Sequence, residues 1–245
     1  TDPKQAVEMA QLVAKETWLQ LDGIYTHLAT ADVAGHEATA RQIAEFDRVC
    51  DELKLIGLLP SRVHIANSSA TMNHIGIASQ MNNAPTMTRV GIAMYGIAAD
   101  SQSNSFGVAT ADALQTVMSL KARVSHVQWV EAGEAVSYGL HRTLNQRSCI
   151  ATLPIGYADG LPRGLWSSGE VLIGGKRRSF AGVITMDQVM INCESDDVQV
   201  GDEAVLIGQQ GDFQITANDW ARQMGTIGYE IVCGISARVP RNYLR

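Results

Sequence analysis

The chain has 245 residues, 46% of them hydrophobic and 18% charged, with a formal net charge of -6. This composition describes a well-cored soluble protein of one large domain or two ordinary ones, and its acidic balance excludes a basic face for nucleic acid. No run is long enough for a membrane span, and no signal-peptide pattern opens the chain.

The first predicted element is a helix. Asp2 is its cap, Pro3 its first position, Gln5 stands where a capping box wants an amide, and Ala6, Met9, Ala10 and Val13 form an apolar stripe. "LDGIYTHLATAD" then reads as a short strand running into a polar loop. Ile43, Phe46, Cys50 and Leu53 give a second helical stripe, and "RVHIANSSA" repeats the strand-to-loop pattern. A short helix over 70–78 and a third strand in "TRVGIAMYG" follow. Short strands separated by helices mean parallel βα units. Three such units are too few for a closed barrel, so the expectation is the C-terminal half of a (β/α)8 barrel over residues 1–110. In that fold chemistry sits on the loops after the strands, here "HIANSSA" and "RVGIAMYG". Ser68 is open between an ordinary helix N-cap and an anion contact, and Gly91 permits close backbone approach.

"NSFGVATADALQ" reads as a linker. Beyond it the period changes to two, in "LKARVSHVQWV", "SCIATLPIGYA", "GEVLIGG", "SFAGVITMDQVMINC" and "DEAVLIGQQG", bounded by glycine turns. This predicts an antiparallel β domain over 111–245, interrupted by one helix capped by Thr216 and Asp219. The four cysteines, Cys50, Cys149, Cys193 and Cys233, form no CxxC pair and sit in apolar contexts, which points to buried free thiols in a reducing, cytoplasmic compartment. His74, His126 and His141 lack metal-ligand spacing, so no metal is expected. Asp159 and Asp187 are open between loop-structuring and site roles. Tyr138, in "GEAVSYGLHR", is open between packing and phenol chemistry.

The segments "YTHLATAD", "HIANSSA", "TRVGIAMYG", "SLKARV", "VSYG", "LPIGYADGLPR", "GVITMDQ" and "GYEIVCGISARVPR" resemble, in order and across nearly the whole chain, the alanine racemases, pyridoxal 5'-phosphate enzymes of fold type III. The resemblance implies that Tyr138 is the catalytic tyrosine, one of two bases acting on opposite faces of the substrate Cα. Arg89 would hydrogen-bond the cofactor's pyridine nitrogen, and His27 would link that arginine to the tyrosine. Ser68, the backbone amides of Gly91 and Ile92, and the Tyr229 hydroxyl would cradle the phosphate. Met186 would hold the substrate carboxylate through its backbone N–H, with Tyr157 and Asp187 at a narrow entrance. Tyr138, Tyr157, Met186 and Tyr229 would serve the partner's site in a head-to-tail homodimer. Thr185 stands where the family often has cysteine, a change that bears on carboxylate recognition.

The chemistry explains these residue types. An amino acid Cα–H is too weak an acid to ionise at neutral pH, so an electron sink conjugated to the amine is needed. Tyrosine serves as a base once nearby positive charge lowers its pKa from about 10. Arginine at the pyridine nitrogen donates without giving up its proton, which favours racemisation over transamination.

One family feature is missing. The second base is a lysine that holds the cofactor covalently, in an N-terminal "KANAYGHG"-type motif, and none of Lys4, Lys15, Lys54, Lys121 or Lys176 lies in such a context. An arginine-bearing "GMxRxG" segment before the first helix is missing too. The expectation is therefore a C-terminal piece of an alanine racemase, supplying D-alanine for peptidoglycan and inactive by itself. Racemisation of serine or of several amino acids is an alternative, and so is a non-catalytic piece that acts only in dimerisation or binding.

Overall fold

A computed structural model of the chain describes residues 2–73, 83, 85–98 and 114–244. The chain divides into two compact units, Thr1–Gln115 and Thr116–Arg245. The boundary expected at 110/111 lies outside the described residues, as do His74, nearly all of the linker at 104–115, and residues 74–78 of the expected third helix.

In the first unit, helix α1 spans Pro3–Lys15, and the Asp2 carboxylate accepts from the Lys4 N–H at 3.0 Å. Gln5 bonds the cap through its backbone, donating to the Asp2 carbonyl at 2.9 Å. Ala10, with Ala6 and Val7, packs against Val49 and Leu53 of helix α2, Glu37–Leu55. Met9 of the expected stripe is exposed, because the face turned toward α2 is centred one residue earlier. Strands β1 (Gly23–Tyr25) and β2 (Arg62–His64) pair in parallel, with Ile24 opposite Val63 and Tyr25 opposite His64. Phe46 and Cys50 of α2 cover the pair, packing with Val63, Ile65 and Ala70.

The expected third strand is not one. Thr86 N–H donates to the Val63 carbonyl and Arg89 N–H to the Ala66 carbonyl, both at 2.8 Å. Bonds three residues apart cannot continue a parallel ladder, whose pattern repeats every two. The segment then turns into a 3₁₀ turn, Ile92–Tyr95. Helix α3, Ser68–Met72, is capped by Asn67, whose side chain accepts from the Ala70 N–H. Ser68 is thus the first helical residue rather than the cap.

The second unit is antiparallel β, as its period predicts. Strands β10 (Phe213–Ile215), β9 (Glu203–Gln210), β6 (Glu170–Ile173) and β7 (Lys176–Ser179) lie in that order, with β3 (Leu120–Arg123) also paired to β9. A second sheet runs β4 (His126–Val130), β5 (Ser148–Leu153), β8 (Val189–Asn192). The run 120–130 is therefore two strands in different sheets. Of "SFAGVITMDQVMINC", Ser179 ends β7, Phe180 makes an isolated bridge to Ile191, and Val189–Asn192 form β8. Thr185 folds back, with its N–H and hydroxyl both donating to the Gln188 carbonyl, at 3.0 and 2.8 Å. Lys176 begins β7. Thr216 and Asp219 form the predicted capping box of helix α4, Ala217–Met224. A second helix, α5 (Gly228–Gly234), was not expected; glycines at both of its ends mask a seven-residue helix. Cys50, Cys149 and Cys193 are buried, but Cys233 is exposed, so the cysteine expectation holds for three of four. Burial pushes the Cys50 thiol up to about 12 and Cys193 up to about 11, which makes both inert as nucleophiles.

Candidate active site

The expected site residues form two clusters, one in each unit. In the first unit, the chain leaves β1 and β2 side by side, which puts Thr26, His27 and His64 at neighbouring strand ends. Arg89 reaches into this corner. One terminal nitrogen, Nη1, lies 2.8 Å from His64 Nδ1 and 3.3 Å from the His64 carbonyl. The other, Nη2, donates to the Thr26 carbonyl at 2.8 Å and lies 3.4 Å from His27 Nδ1. The guanidinium also stands 5.0 Å over the Tyr25 ring, which in turn stacks on His64 at 5.2 Å and 14°. A planar fork with this many fixed acceptors is oriented rather than merely present.

Arginine can only donate, so the His64 Nδ1 facing it is an acceptor and the imidazole is neutral. Burial first, and the Arg89 charge second, hold the His64 pKa below its ordinary value, in agreement with that tautomer. Burial also holds the Arg89 pKa below its ordinary value, though arginine stays charged in proteins. His27 has a donor on each side, because its Nε2 is 3.3 Å from Asn67 Nδ2. Asn67 is held in that orientation by donating to the Leu28 carbonyl and accepting from Ala70. A neutral imidazole has one acceptor nitrogen, so His27 serves only one of these donors at a time.

Ser68 is buried, and its hydroxyl oxygen accepts from the Gly91 N–H at 2.9 Å, with the Ala93 N–H at 3.4 Å. A Cβ on Gly91 would meet only that oxygen, at 4.0 Å, so the glycine leaves open space beside the hydroxyl. Ile92, whose side chain is buried, opens the 3₁₀ turn next to it. His27 and Arg89 are thus joined, and so are Ser68, Gly91 and Ile92. A cleft of about 530 Å³ opens beside Tyr25, Thr26 and His27, with Ile24, Phe46 and Val49 on its apolar side.

The second cluster hangs on the loop 183–188. Ser137, just before Tyr138, donates its hydroxyl proton to the Val183 carbonyl at 2.8 Å. Tyr157 N–H donates to Thr185 O and Ala158 N–H to Met186 O, both at 3.0 Å. Gly156 allows that approach, since a Cβ there would lie 2.3 Å from Thr185 O. Asp187 pairs with Arg238 at 2.7 Å, and the same guanidinium reaches Asp159 at 3.3 Å. Asp159 is buried and its carboxylate accepts from the Gly156 N–H at 2.9 Å, so it structures the "GYADG" loop. Asp187 is exposed and meets that loop through Arg238. Tyr138, Tyr157 and Met186 are all exposed, Tyr138 to 77%. Tyr229 is the second residue of α5, half-buried, and α5 ends against the same region, with Ser236 N–H donating to Asp159 O at 3.0 Å.

His64 and Tyr25 escaped the sequence reading, as did Asn67. A signal existed for two of them: Tyr25 and His64 are register partners, and both stand at the strand end one or two residues before the polar loop. Among the described residues no group of three His, Cys, Asp or Glu could hold a metal, and no helix is long and apolar enough to cross a membrane.

Residues 117–243 match the family model described as alanine racemase, C-terminal domain, and residues 1–99 that of alanine racemase, N-terminal domain. The alanine racemase of Symbiobacterium thermophilum is 42% identical over 242 residues, which is 98% of this chain and 61% of that protein. That of Streptomyces coelicolor is 40% identical over 244 residues, covering 99% and 60%. The solved alanine racemase structure from Streptomyces coelicolor superposes with a TM-score of 0.86 over 100% of this chain and 61% of that one, at 40% identity. The one from Streptomyces lavendulae gives 0.87 over 100% and 62%, at 36% identity. The chain spans about three-fifths of the length of these relatives.

Proposed function

Because this chain belongs to the alanine racemase family, we propose that it forms part of an enzyme interconverting L- and D-alanine with pyridoxal 5'-phosphate. The product would supply peptidoglycan synthesis in the cytoplasm. The observation that carries this reading is the Arg89 corner, a guanidinium fixed by His64, by strand-end carbonyls and by His27 at 3.4 Å. The residues fit the cofactor chemically. Arg89 offers a donor that keeps its proton, and Ser68 offers a hydroxyl in open space beside a glycine. When bound, the cofactor supplies the electron sink that makes the alanine Cα–H acidic enough to remove.

The chain's own residues would do the rest. Arg89 would hold the ring nitrogen without giving up its own proton, and neutral His64 would keep the guanidinium in its observed orientation. Ser68, with the amides of Gly91 and Ile92, holds the phosphate, joined by the Tyr229 hydroxyl. Tyr138 moves a proton on one face of Cα, in a site contributed by two subunits of a homodimer. Met186 offers its N–H to the substrate carboxylate, while Tyr157 and Asp187 narrow the entrance. The opposite face needs a lysine that none of the five lysines here is placed to be; Lys121 pairs with Glu203 and Lys176 with Asp196.

The test is direct. The 245-residue chain with pyridoxal 5'-phosphate should form no D-alanine from L-alanine in an oxidase-coupled assay. The same chain extended by a lysine-bearing segment from a relative should. Turnover by the chain alone would overturn the lysine argument. An extended protein that folds and binds cofactor yet turns over serine faster than alanine would overturn the substrate.

A further inference from the structure

The turn that carries Tyr138 is strained in a way ordinary surface turns are not. Ser137 has φ 73° and ψ 173°, Gly139 φ 75° and Leu140 φ 46°, so three of four consecutive residues lie on the left-handed side. The Ser137 conformation belongs to a region that is otherwise almost glycine's alone. Such a conformation persists only where the surroundings over-determine it, and here they do. The Ser137 hydroxyl is tied to the carbonyl of buried Val183 at 2.8 Å. Gly182 packs flat against the same segment, for a Cβ there would stand 2.5 Å from Val136 O and 2.7 Å from Ser137 Cβ. From the other side the His141 ring lies across Gly139, whose Cβ would be 2.4 Å from Nε2, and that ring meets Trp166 at 5.4 Å between centroids. All of this holds the backbone; the Tyr138 ring itself is left exposed.

We propose that Ser137 is a positioning residue. Its hydroxyl, bonded to Val183, holds the strained turn that aims the Tyr138 phenol, and so couples Tyr138 to the loop 183–188 that carries Met186. This rests on the reading of Tyr138 as the proton carrier. The geometry sets the same loop two tasks. Its first residue fixes the tyrosine's turn, and its middle residues fix the Tyr157 loop through Thr185 and Met186. A shift of the loop therefore moves the proton carrier and the carboxylate contact together. In a reaction where a displacement of about 1 Å costs roughly a hundredfold in rate, that coupling keeps the two in register.

Two variants separate positioning from mere stability. Ser137→Ala removes the hydroxyl but keeps a Cβ in the strained conformation, whereas Ser137→Gly removes the hydroxyl and the strain together. Ser137→Gly should therefore melt higher than Ser137→Ala. In the lysine-extended enzyme both should lose about ten- to a hundredfold in kcat with KM for alanine little changed. Deuterium washout at Cα should slow for one enantiomer and be spared for the other. In the 245-residue chain itself, amide order parameters over 138–140 should fall from about 0.85 to under about 0.6 in both variants. Parent-like kcat in both variants, alongside an inactive Tyr138→Phe, would overturn the proposal and leave the tyrosine's role standing. Losses of kcat that merely follow the melting temperatures would overturn it too. An active Tyr138→Phe would instead overturn the proton-carrier reading, and the order parameters would still decide whether Ser137 holds the turn.

Discussion

The two units bury their chains in different ways, and each way suits a different cluster of candidate residues. Among the described residues the first unit has one parallel strand pair, short at three residues per strand, covered by α2. It leaves Leu12, Trp18, Leu19, Leu55 and Ile56 exposed. The second closes on itself with antiparallel sheets, and Leu153, Leu172, Phe180, Ile191 and Trp220 are almost wholly out of solvent. Parallel strand ends bring neighbouring carbonyls and side chains to one level, which is what pins the Arg89 fork. The antiparallel unit instead presents its candidate residues on loops, where a rigid sheet supports turns such as that of Tyr138. The Arg89 charge stands on the unit with the shorter described strands, and Tyr138, the proposed proton carrier, on the unit with the larger sheets.

The sharpest way to break that contrast is at Tyr138. In the lysine-extended enzyme, Tyr138→Phe keeps the ring and removes the proton, so turnover should fall several hundredfold or more, within the roughly 10²–10⁴ range of a positioned acid or base. Exchange of the Cα deuteron should survive for one enantiomer, because the lysine still works its own face. Equal loss from both enantiomers would mean that the phenol does not serve a single face. Mixing this variant with one lacking the lysine should restore some activity if subunits share sites, since one site of each mixed dimer then carries neither defect. Demonstrated subunit exchange with activity still at background would sink the shared site.

Much of this was legible in the residues, for a physical reason. The change of hydrophobic period from helical to alternating marks the passage from α/β to antiparallel β, because burial on one face imposes it. The capping box of α4 was readable because it is local chemistry at fixed spacing. What escaped depends on distance in space. Whether "TRVGIAMYG" joins a ladder is decided by where its N–H groups meet Val63 and Ala66, not by its β-branched content. His64 looks like any strand-end histidine until Arg89, 25 residues on, is seen to face it. Ser137 looks like a turn serine until its φ and the carbonyl of Val183 are known.

Hydrogen exchange sharpens the comparison without any catalysis. Amides of β1 and β2, which among the described residues pair only with each other over three residues, should exchange about an order of magnitude faster than those of β5, β6 and β9. The exposed apolar side of the first unit should also drive self-association of the 245-residue chain, seen as a concentration-dependent sedimentation coefficient. Uniform protection across both units, with a monomer at all concentrations, would show that the first unit is better closed than its exposed residues suggest.

The smallest expected effect is an acid step that belongs to the second unit. Asp196 accepts from Lys176 and from the buried Arg178, and these hydrogen bonds, Lys176 first, hold its carboxyl down at about 2 against an ordinary 3.8. A carboxylate with a depressed folded-state pKa stabilises the fold fully above the unfolded value, and that contribution is lost as the pH falls toward the folded one. The window is therefore roughly pH 4 down to 2. In the first unit His64 works higher on the scale. With its folded pKa lowered below 6.5, the neutral form's contribution is full above that value and fades as the pH falls below it. The melting temperature of the parent should thus decline in two steps on acidification, and Asp196→Asn should remove only the lower one. Because Asp196 is partly exposed, that lower step should amount to roughly a few degrees or less. Arg178 is left buried without its charge partner in the variant, so its melting temperature at neutral pH should also sit a little lower. A variant that keeps the decline between pH 4 and 2 would place that acid step in other carboxylates and not in the Lys176–Asp196–Arg178 triad.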